Sequence, residues 1–542
     1  MTSGMYMSMR SSLQALSSHF PQVWSKMRFD LLTAATIVTT STYVSAQFQE
    51  SCNSLASRLS IPNATISSTT FVAARTTLTF PNADRTCGIQ PQLVSADICR
   101  VMLTVATSTR SRIVMEAWLP SNWTGRFLAT GNGGIGGCIQ FNDMDYGSSL
   151  GFATTGSDNG HTGQNGTLFL NNPDVVDDFA FRALLTSAQV GKQITRKLFG
   201  KAEAKSYYLG CSTGGRQGWK MAQDFPDEFD GIVAGAPAFA WTGLMSWGAM
   251  FFPLIKTAGH NFPPPSLWPV VDAGILAQCD GLDGAVDGIL EEPSRCHFNP
   301  ETLICAPGHT SSCLTSRQAA TVRAVFSPLF ARSSFMYPAL QFGPGLLERV
   351  FWNYGGAQFL YPDHWYRFAV FNNPAFNTTM LTPDEILFAQ KLNPGGINTF
   401  SGDISKFRNR GSKILHYHGQ VDELISSINS NRYYELVSKT MKMSPTALDE
   451  FYRFFRISGM GHCLGGLGES VASLDPNQNV LTAMVRWVEQ GVAPDTILGT
   501  AYVSQTKAFG VDFQRAHCRY PFHNVFSGNG SVKDPANWNC VL

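Results

Sequence analysis

Apolar and polar positions alternate with a period of two in "RIVMEAWLP" (112–120), the pattern of a strand. "GRFLATGNGGIGGC" (125–138) reads as a second strand running into a glycine-rich loop. From Cys52 to about Thr162 short β-like runs of this kind are punctuated by Gly, Pro and Asn. The rhythm then changes. "VVDDFAFRALLTSAQVGKQITRKLFG" (175–200) places apolar residues at helical spacing and ends on Gly200, a natural C-cap. "KSYYLG" predicts a strand, residues 211–214 a sharp turn, "GRQGWKMAQDFPDEF" a helix and "GIVAGAP" (231–237) a buried strand closed by proline. Strand, turn, helix, strand in this order predicts a parallel α/β sheet.

After Pro237 the pattern breaks. Residues from about 238 to 400 are rich in Trp, Phe and Pro and carry an acidic loop, which predicts an inserted domain. The α/β pattern resumes at "SKILHYHGQVDELI" (412–425), with helices expected at 429–441 and 479–491. The expected division is therefore a catalytic domain, 47–237 and 401–542, interrupted by a lid at 238–400.

Composition changes the picture only at the ends of this scheme. The net charge of +1 gives no field for nucleic acid or an acidic membrane, and 15% charged with 12% aromatic residues is a folded composition. From Met27 a basic start, an apolar and small-residue run (31–44) and Val44-Ser45-Ala46 read as a secretory signal peptide, 27–46. Residues 1–26 read as an upstream extension, with an organelle-targeting peptide as the alternative. An extracellular enzyme without a membrane anchor is expected. All 12 cysteines lie beyond Ala46, an even number that predicts six disulfides in an oxidising compartment. Sequons at Asn63, Asn122, Asn165, Asn377 and Asn529 are compatible with N-glycosylation.

The chemistry centres on Gly210-Cys211-Ser212-Thr213-Gly214, a G-x-S-x-G between a strand and a helix. Its glycines let the chain turn tightly and lift a serine hydroxyl clear of the sheet. A phosphate loop is disfavoured because the Gly-Lys-Ser/Thr of that motif is missing. A serine nucleophile needs a base and a group that orients it, and on such a sheet these follow in the order Ser, Asp, His. Asp422 lies just past an apolar strand. His462 lies past another, in a glycine-rich loop. His161 is the alternative base but precedes the serine. His260, His297, His416, His418, His517 and His523 have poorer settings, and Asp224, Asp227 and Asp230 look like solvated surface charges. Cys211 precedes Ser212 directly and Cys463 follows His462 directly. A bond between them would hold nucleophile and base together, since bridged Cα atoms lie about 6 Å apart. A redox thiol at Cys211 is disfavoured by the even cysteine count.

These residues resemble the fungal feruloyl esterase B and tannase family, secreted α/β-hydrolases with a lid, through Cys211-Ser212, Asp422 and His462-Cys463. The likeness runs from "CRVMLTVATSTRSRIVMEAWLP" to "HCRYPFHN" and leaves out residues 1–46. It implies an α/β-hydrolase fold with an inserted lid domain, Ser212 as nucleophile, His462 as base and then acid, and Asp422 as its orienter. The oxyanion hole is expected from the N–H of Thr213 and that of Gly133 or Gly134. The likeness also implies structural Ca²⁺ in "CDGLDGAVDGILEEPSRC", on the carboxylates of Asp280, Asp283 and Asp287 and the carbonyls of Ala285 and Ile289. Disulfides 52–99, 87–138, 279–296, 305–313 and 518–540 are implied besides 211–463. The implied reaction is hydrolysis of feruloyl esters on plant cell-wall polysaccharide, with tannase as the close alternative. A hydrolase-like binding module and a serine peptidase are the readings from other classes. Trp241, Trp247, Trp268, Trp352, Tyr354 and Trp365 could receive a flat phenolic group or simply pack the lid.

Overall fold

Strands that run parallel with helices on their faces must bury both faces, and the central strands here do so. In chain order the main sheet contains β1 (Ala64–Val72), β2 (Ile98–Ala106), β3 (Arg112–Pro120), β4 (Arg126–Thr130) and β5 (Phe152–Ser157). It continues with β6 (Lys205–Cys211), β7 (Gly231–Gly235), β8 (Lys413–Gly419) and β9 (Tyr452–Ile457). The spatial order is β1-β2-β3-β5-β4-β6-β7-β8-β9. β1, β2, β3 and β5 pair antiparallel, and every pairing from β5 through β4 to β9 is parallel. This is an α/β-hydrolase sheet. The computed structural model describes residues 46–256, 261–464 and 479–542. The extension 1–26, the signal peptide up to Ser45, and His260 lie outside the described residues.

β3 alternates only at its start. Beyond Met115 it is buried on both faces, because α1 (Phe141–Ser149) and α2 (Ala183–Phe199) both pack on it. α2 ends where Gly200 takes a left-handed conformation, φ 69°, as its sequence requires. The helix expected over 215–229 is shorter and earlier: α3 spans Thr213–Asp224. Pro226 stops it, since the residue before a proline is pushed out of the helical region.

Among its described residues the insertion between β7 and β8 adds no strand to the sheet. Among its described residues are α4 (Trp241–Lys256), α5 (Leu346–Tyr354) and a small separate hairpin of Leu329–Ala331 with Ser334–Tyr337. Its buried side chains share one core with Ile135, Phe169, Val175, Val176, Phe179 and Ala180, which precede β6. Body and insertion are joined through apolar contact, and Gln49–Leu542 forms one compact unit. After β8 comes α6 (Ile428–Met441), and after β9 comes α7 (Val480–Gln490). Disulfides join Cys52–Cys99, Cys87–Cys138, Cys211–Cys463, Cys279–Cys296, Cys305–Cys313 and Cys518–Cys540. These are the pairs the resemblance implies. Among the described residues no cysteine is free and no helix is long and apolar enough to cross a membrane.

Candidate active site

β6 ends at Cys211, and the chain must reverse into α3 within one residue. Ser212 makes that reversal with φ 66° and ψ −123°, a conformation costing on the order of 1–3 kcal/mol. Backbone bonds hold it there: the Ser212 N–H donates to Gly235 O at 2.9 Å, and Ser212 O accepts from Arg216 N at 3.0 Å and Ala238 N at 3.2 Å. The turn closes so tightly that a Cβ on Gly210 would lie 2.6 Å from the Tyr208 hydroxyl and 2.8 Å from the Gly214 carbonyl carbon. A Cβ on Gly215 would lie 2.2 Å from Gly235 O, so the glycine after the motif is as constrained as those within it.

The loops after β8 and β9 are stitched together. Gln420 N donates to Ile457 O at 2.8 Å and Val421 N to Met460 O at 3.1 Å. This brings Asp422 to His462, whose Nδ1 lies 2.7 Å from Asp422 Oδ2. Asp422 Oδ1 accepts from Leu424 N and Ile425 N, both at 2.8 Å. Burial alone would push the Asp422 carboxyl up, but the His462 charge and the hydrogen bonds of His418 and His462 hold it well below the usual carboxylate range. Burial also pushes His462 down. The Asp422 charge and hydrogen bond, with Glu423 nearby, outweigh this and raise it above the ordinary 6.5. Cys211 and Cys463 are bonded with Cα atoms 6.0 Å apart, across 252 residues of chain. Ser212 and His462 therefore face the same cavity.

That cavity is about 470 Å³. Thr213, Gly133 and Gly134 lie in its wall beside Ser212, and Thr213 Oγ1 donates to Gly134 O at 2.5 Å. Asn132 N is occupied by Gln217 Oε1 at 3.0 Å, and Gln217 Nε2 donates to Asn132 Oδ1 at 3.1 Å, which fixes the glycine loop against α3. The insertion supplies Trp241, Leu244, Met245, Tyr354, Phe359 and Tyr361 to the wall. Gln140, Asp143 and Gln164 are polar members, and burial pushes the Asp143 carboxyl up to about 6.

Of the insertion aromatics, Trp241 and Tyr354 reach the cavity, whereas Trp247, Trp268 and Trp365 pack its core and Trp352 is 70% exposed. His161 is held away from the serine: its Nε2 lies 2.8 Å from Ile135 O and its ring packs on Phe169 and Phe179. His297 is exposed, His523 is half-buried, and His416, His418 and His517 are buried. Asp224 pairs with Lys220 on the surface and Asp227 is exposed. Asp230 is not a solvated surface charge. It is half-buried, pairs with Lys205 at 3.1 Å and accepts from Ser206 N at 2.8 Å.

Asp280 and Asp283 are buried, and burial with the nearby Asp287 charge raises both carboxyls. Asp287 pairs with Arg515 at 2.8 Å, and Arg515 also pairs with Glu291. Backbone N–H groups point at the other two: Gly288 donates to Asp280, and Ala285 and Glu291 donate to Asp283. Carboxylate oxygens of this kind are the ligand type a hard cation takes. Among the described residues no group of three such side chains converges as a ligand set, so carbonyls such as those of Ala285 and Ile289 would have to complete it. Of the sequons, Asn63, Asn122, Asn377 and Asn529 are exposed and Asn165 is half-buried.

Sequence reasoning missed Gln217, Tyr361 and the contact of His418 with Asp422. For His418 a signal existed: in "HYH" two histidines share one face of a strand, so both point at the same neighbour.

An elbow serine on an α/β-hydrolase sheet, facing a histidine with its carboxylate, defines the class of esterases and related hydrolases. The comparisons narrow it. A family model described as tannase and feruloyl esterase matches residues 99–336 and 369–541. The chain is 45% identical over 506 residues to feruloyl esterase C of Talaromyces stipitatus, covering 91% of this chain and 95% of the relative. The crystal structure of feruloyl esterase B from Aspergillus oryzae superposes with a TM-score of 0.87 at 45% identity, covering 91% of this chain and all of that one. Tannin acyl hydrolase from Aspergillus niger shares the fold, with a TM-score of 0.71 at 24% identity, covering 90% of this chain and 94% of that one. The chain belongs to the tannase and feruloyl esterase family, and it is a carboxylic ester hydrolase.

Proposed function

We propose that this chain hydrolyses feruloyl and related hydroxycinnamoyl esters of plant cell-wall polysaccharide, with Ser212, His462 and Asp422 as its triad. The observation that carries the reading is the 2.7 Å contact of His462 with Asp422, facing a strained serine in the cavity they share. His462 takes the Ser212 proton as Oγ attacks the ester carbonyl. The oxyanion forms against the N–H groups of Thr213 and of Gly133 or Gly134. His462 then protonates the departing sugar oxygen, leaving an acyl-enzyme. Water, deprotonated by His462, releases the phenolic acid and restores the serine. Asp422 holds the imidazole tautomer and balances its charge.

An apolar wall of Leu244, Met245 and Phe359 with Trp241 suits a planar ring with a vinyl spacer. The galloyl reading has less support, since identity is 45% to feruloyl esterase B and 24% to the tannin acyl hydrolase. Release of acid from methyl ferulate, caffeate, sinapate and gallate by the purified protein tests this. The proposal expects ferulate among the preferred esters. Preference for gallate would make the protein a tannase, and no turnover of any ester would favour a binding module.

We also propose that Asp280, Asp283 and Asp287, with the carbonyls of Ala285 and Ile289, hold a structural calcium ion, supported by the buried carboxylates of that loop. The signal-like segment and six disulfides support secretion, and the exposed sequons at Asn63, Asn122, Asn377 and Asn529 could carry glycans. Asn165, half-buried, is the least accessible.

A further inference from the structure

Asp422 receives a hydrogen bond that the triad does not require. His418 Nε2 lies 3.1 Å from Asp422 Oδ2, the same oxygen that faces His462. His418 Nε2 also lies 3.0 Å from Ile425 O. Both neighbours are acceptors, so this nitrogen carries hydrogen. On its other side His418 Nδ1 lies 2.7 Å from Ser430 Oγ on α6, and Ser430 Oγ lies 2.9 Å from His416 Nε2. His416 Nδ1 ends the chain 3.0 Å from the Tyr452 hydroxyl on β9. All of these groups are buried, and burial pushes the His416 imidazolium far down, leaving that ring neutral.

With the one hydrogen of the His418 ring on Nε2, its Nδ1 accepts, and the chain runs one way: Tyr452 donates to His416 Nδ1, His416 Nε2 to Ser430 and Ser430 to His418 Nδ1. His418 Nε2–H donates to Asp422. The donor at the carboxylate is thus fixed by its two acceptors, and the rest of the chain holds the ring that carries it.

We infer that His418 is a positioning residue for the hydrolysis, fixing the Asp422 oxygen that faces His462 and sharing its negative charge. The inference rests on the triad proposed above. Asp422 Oδ1 is already tied by two backbone N–H groups, and Oδ2 by two imidazoles, so the carboxylate has no freedom to rotate. Without His418, Oδ2 keeps only His462. The charge then concentrates on that side and strengthens the imidazolium, while the carboxylate gains room to turn.

The other groups that feel this site are Glu423, paired with Arg349 at 3.4 Å, and Tyr337 and Tyr354, both within reach of the Asp422 charge. None of these is altered by a change at His418. A purely structural His418, stapling the turn through Ile425 O, would change stability and leave the pH profile alone.

The test compares His418→Leu, His418→Gln, Ser430→Ala and Asp422→Asn in the full-length protein on one phenolic ester. Expected for His418→Leu is a loss of kcat of about 30-fold with KM within about twofold, since misplacing a reacting group costs up to about 100-fold. Its acid limb should move upward by about half a pH unit or more. His418→Gln, whose amide N–H can replace Nε2–H, should recover most of that loss and return the limb toward its native position. Ser430→Ala, a milder change that leaves the donor in place, should lower kcat by less than His418→Leu. If His418→Leu folds and keeps the native kcat and limb, the inference is overturned. The same holds if it loses activity without moving the limb, or if His418→Leu does not fold and Ser430→Ala leaves kcat and limb native. Asp422→Asn separates the two claims: a severe loss there with a native His418→Leu leaves the triad standing and removes only His418. A fully active Asp422→Asn would overturn both.

Discussion

The Asp422–His462 contact has a direct consequence for pH. In the proposed mechanism His462 must be neutral to accept the Ser212 proton, and its folded value lies above the ordinary 6.5 because the Asp422 charge outweighs burial. Activity should therefore rise with pH through a midpoint above 6.5, measured as kcat/KM for a neutral phenolic ester. Linkage has the opposite sense. A raised histidine contributes stability that is full below its unfolded value and is lost as pH rises through the folded one. Asp422 is depressed, so its contribution is present above the ordinary carboxylate value of 3.8 and fades as pH falls through the lower folded one. Asp422→Asn should lower kcat by roughly 10⁴-fold, as loss of the orienting carboxylate does in serine hydrolases. Ser212, Asp422 and His462 were legible because each sits at a strand end, where local sequence determines the loop. The link from His418 through Ser430 to His416 was not, because Ser430 meets them only when α6 packs on β8.

At the scale of elements, the elbow and the Cys211–Cys463 bond work as one device. The bond closes 252 residues of chain, which in the chain-entropy model stabilises the fold by on the order of 5 kcal/mol. It also limits how far the loop after β9 can move from the elbow. Replacing both cysteines with alanine should lower kcat on every ester by about the same factor and reduce the melting temperature. Ratios between substrates should stay within about twofold, because the apolar wall of Trp241, Leu244, Met245 and Phe359 comes from the insertion. A change confined to substrate preference would contradict this role. The strand, turn and helix of this device were readable from alternation and glycine spacing. The end of α3 was missed: periodicity carried the helix to Phe229, whereas Pro226 stops it after Asp224. Gly215 was less visible, since its contact is with Gly235 on the neighbouring strand.

For the whole molecule, the insertion and the hydrolase body share a core, so what stabilises one is felt by the other. If the acidic loop binds calcium, chelation should lower the melting temperature, and calcium should restore it. An unchanged melting temperature together with no metal in the purified protein would contradict the site. The existence of the insertion was legible from its break in rhythm and its aromatic content. Which aromatics face the cavity was not, because that depends on how α4 and α5 lie over the sheet. Trp352 and Trp241 have similar sequence surroundings and opposite fates, one in solvent and one against the cavity. Ser212 is the proposed nucleophile, and the rate of ferulate release from methyl ferulate by Ser212→Ala tests that role without an intermediary. The expected outcome is a fall in kcat of about 10⁴-fold or more with the native melting temperature retained. Turnover within tenfold of the unaltered protein would contradict it.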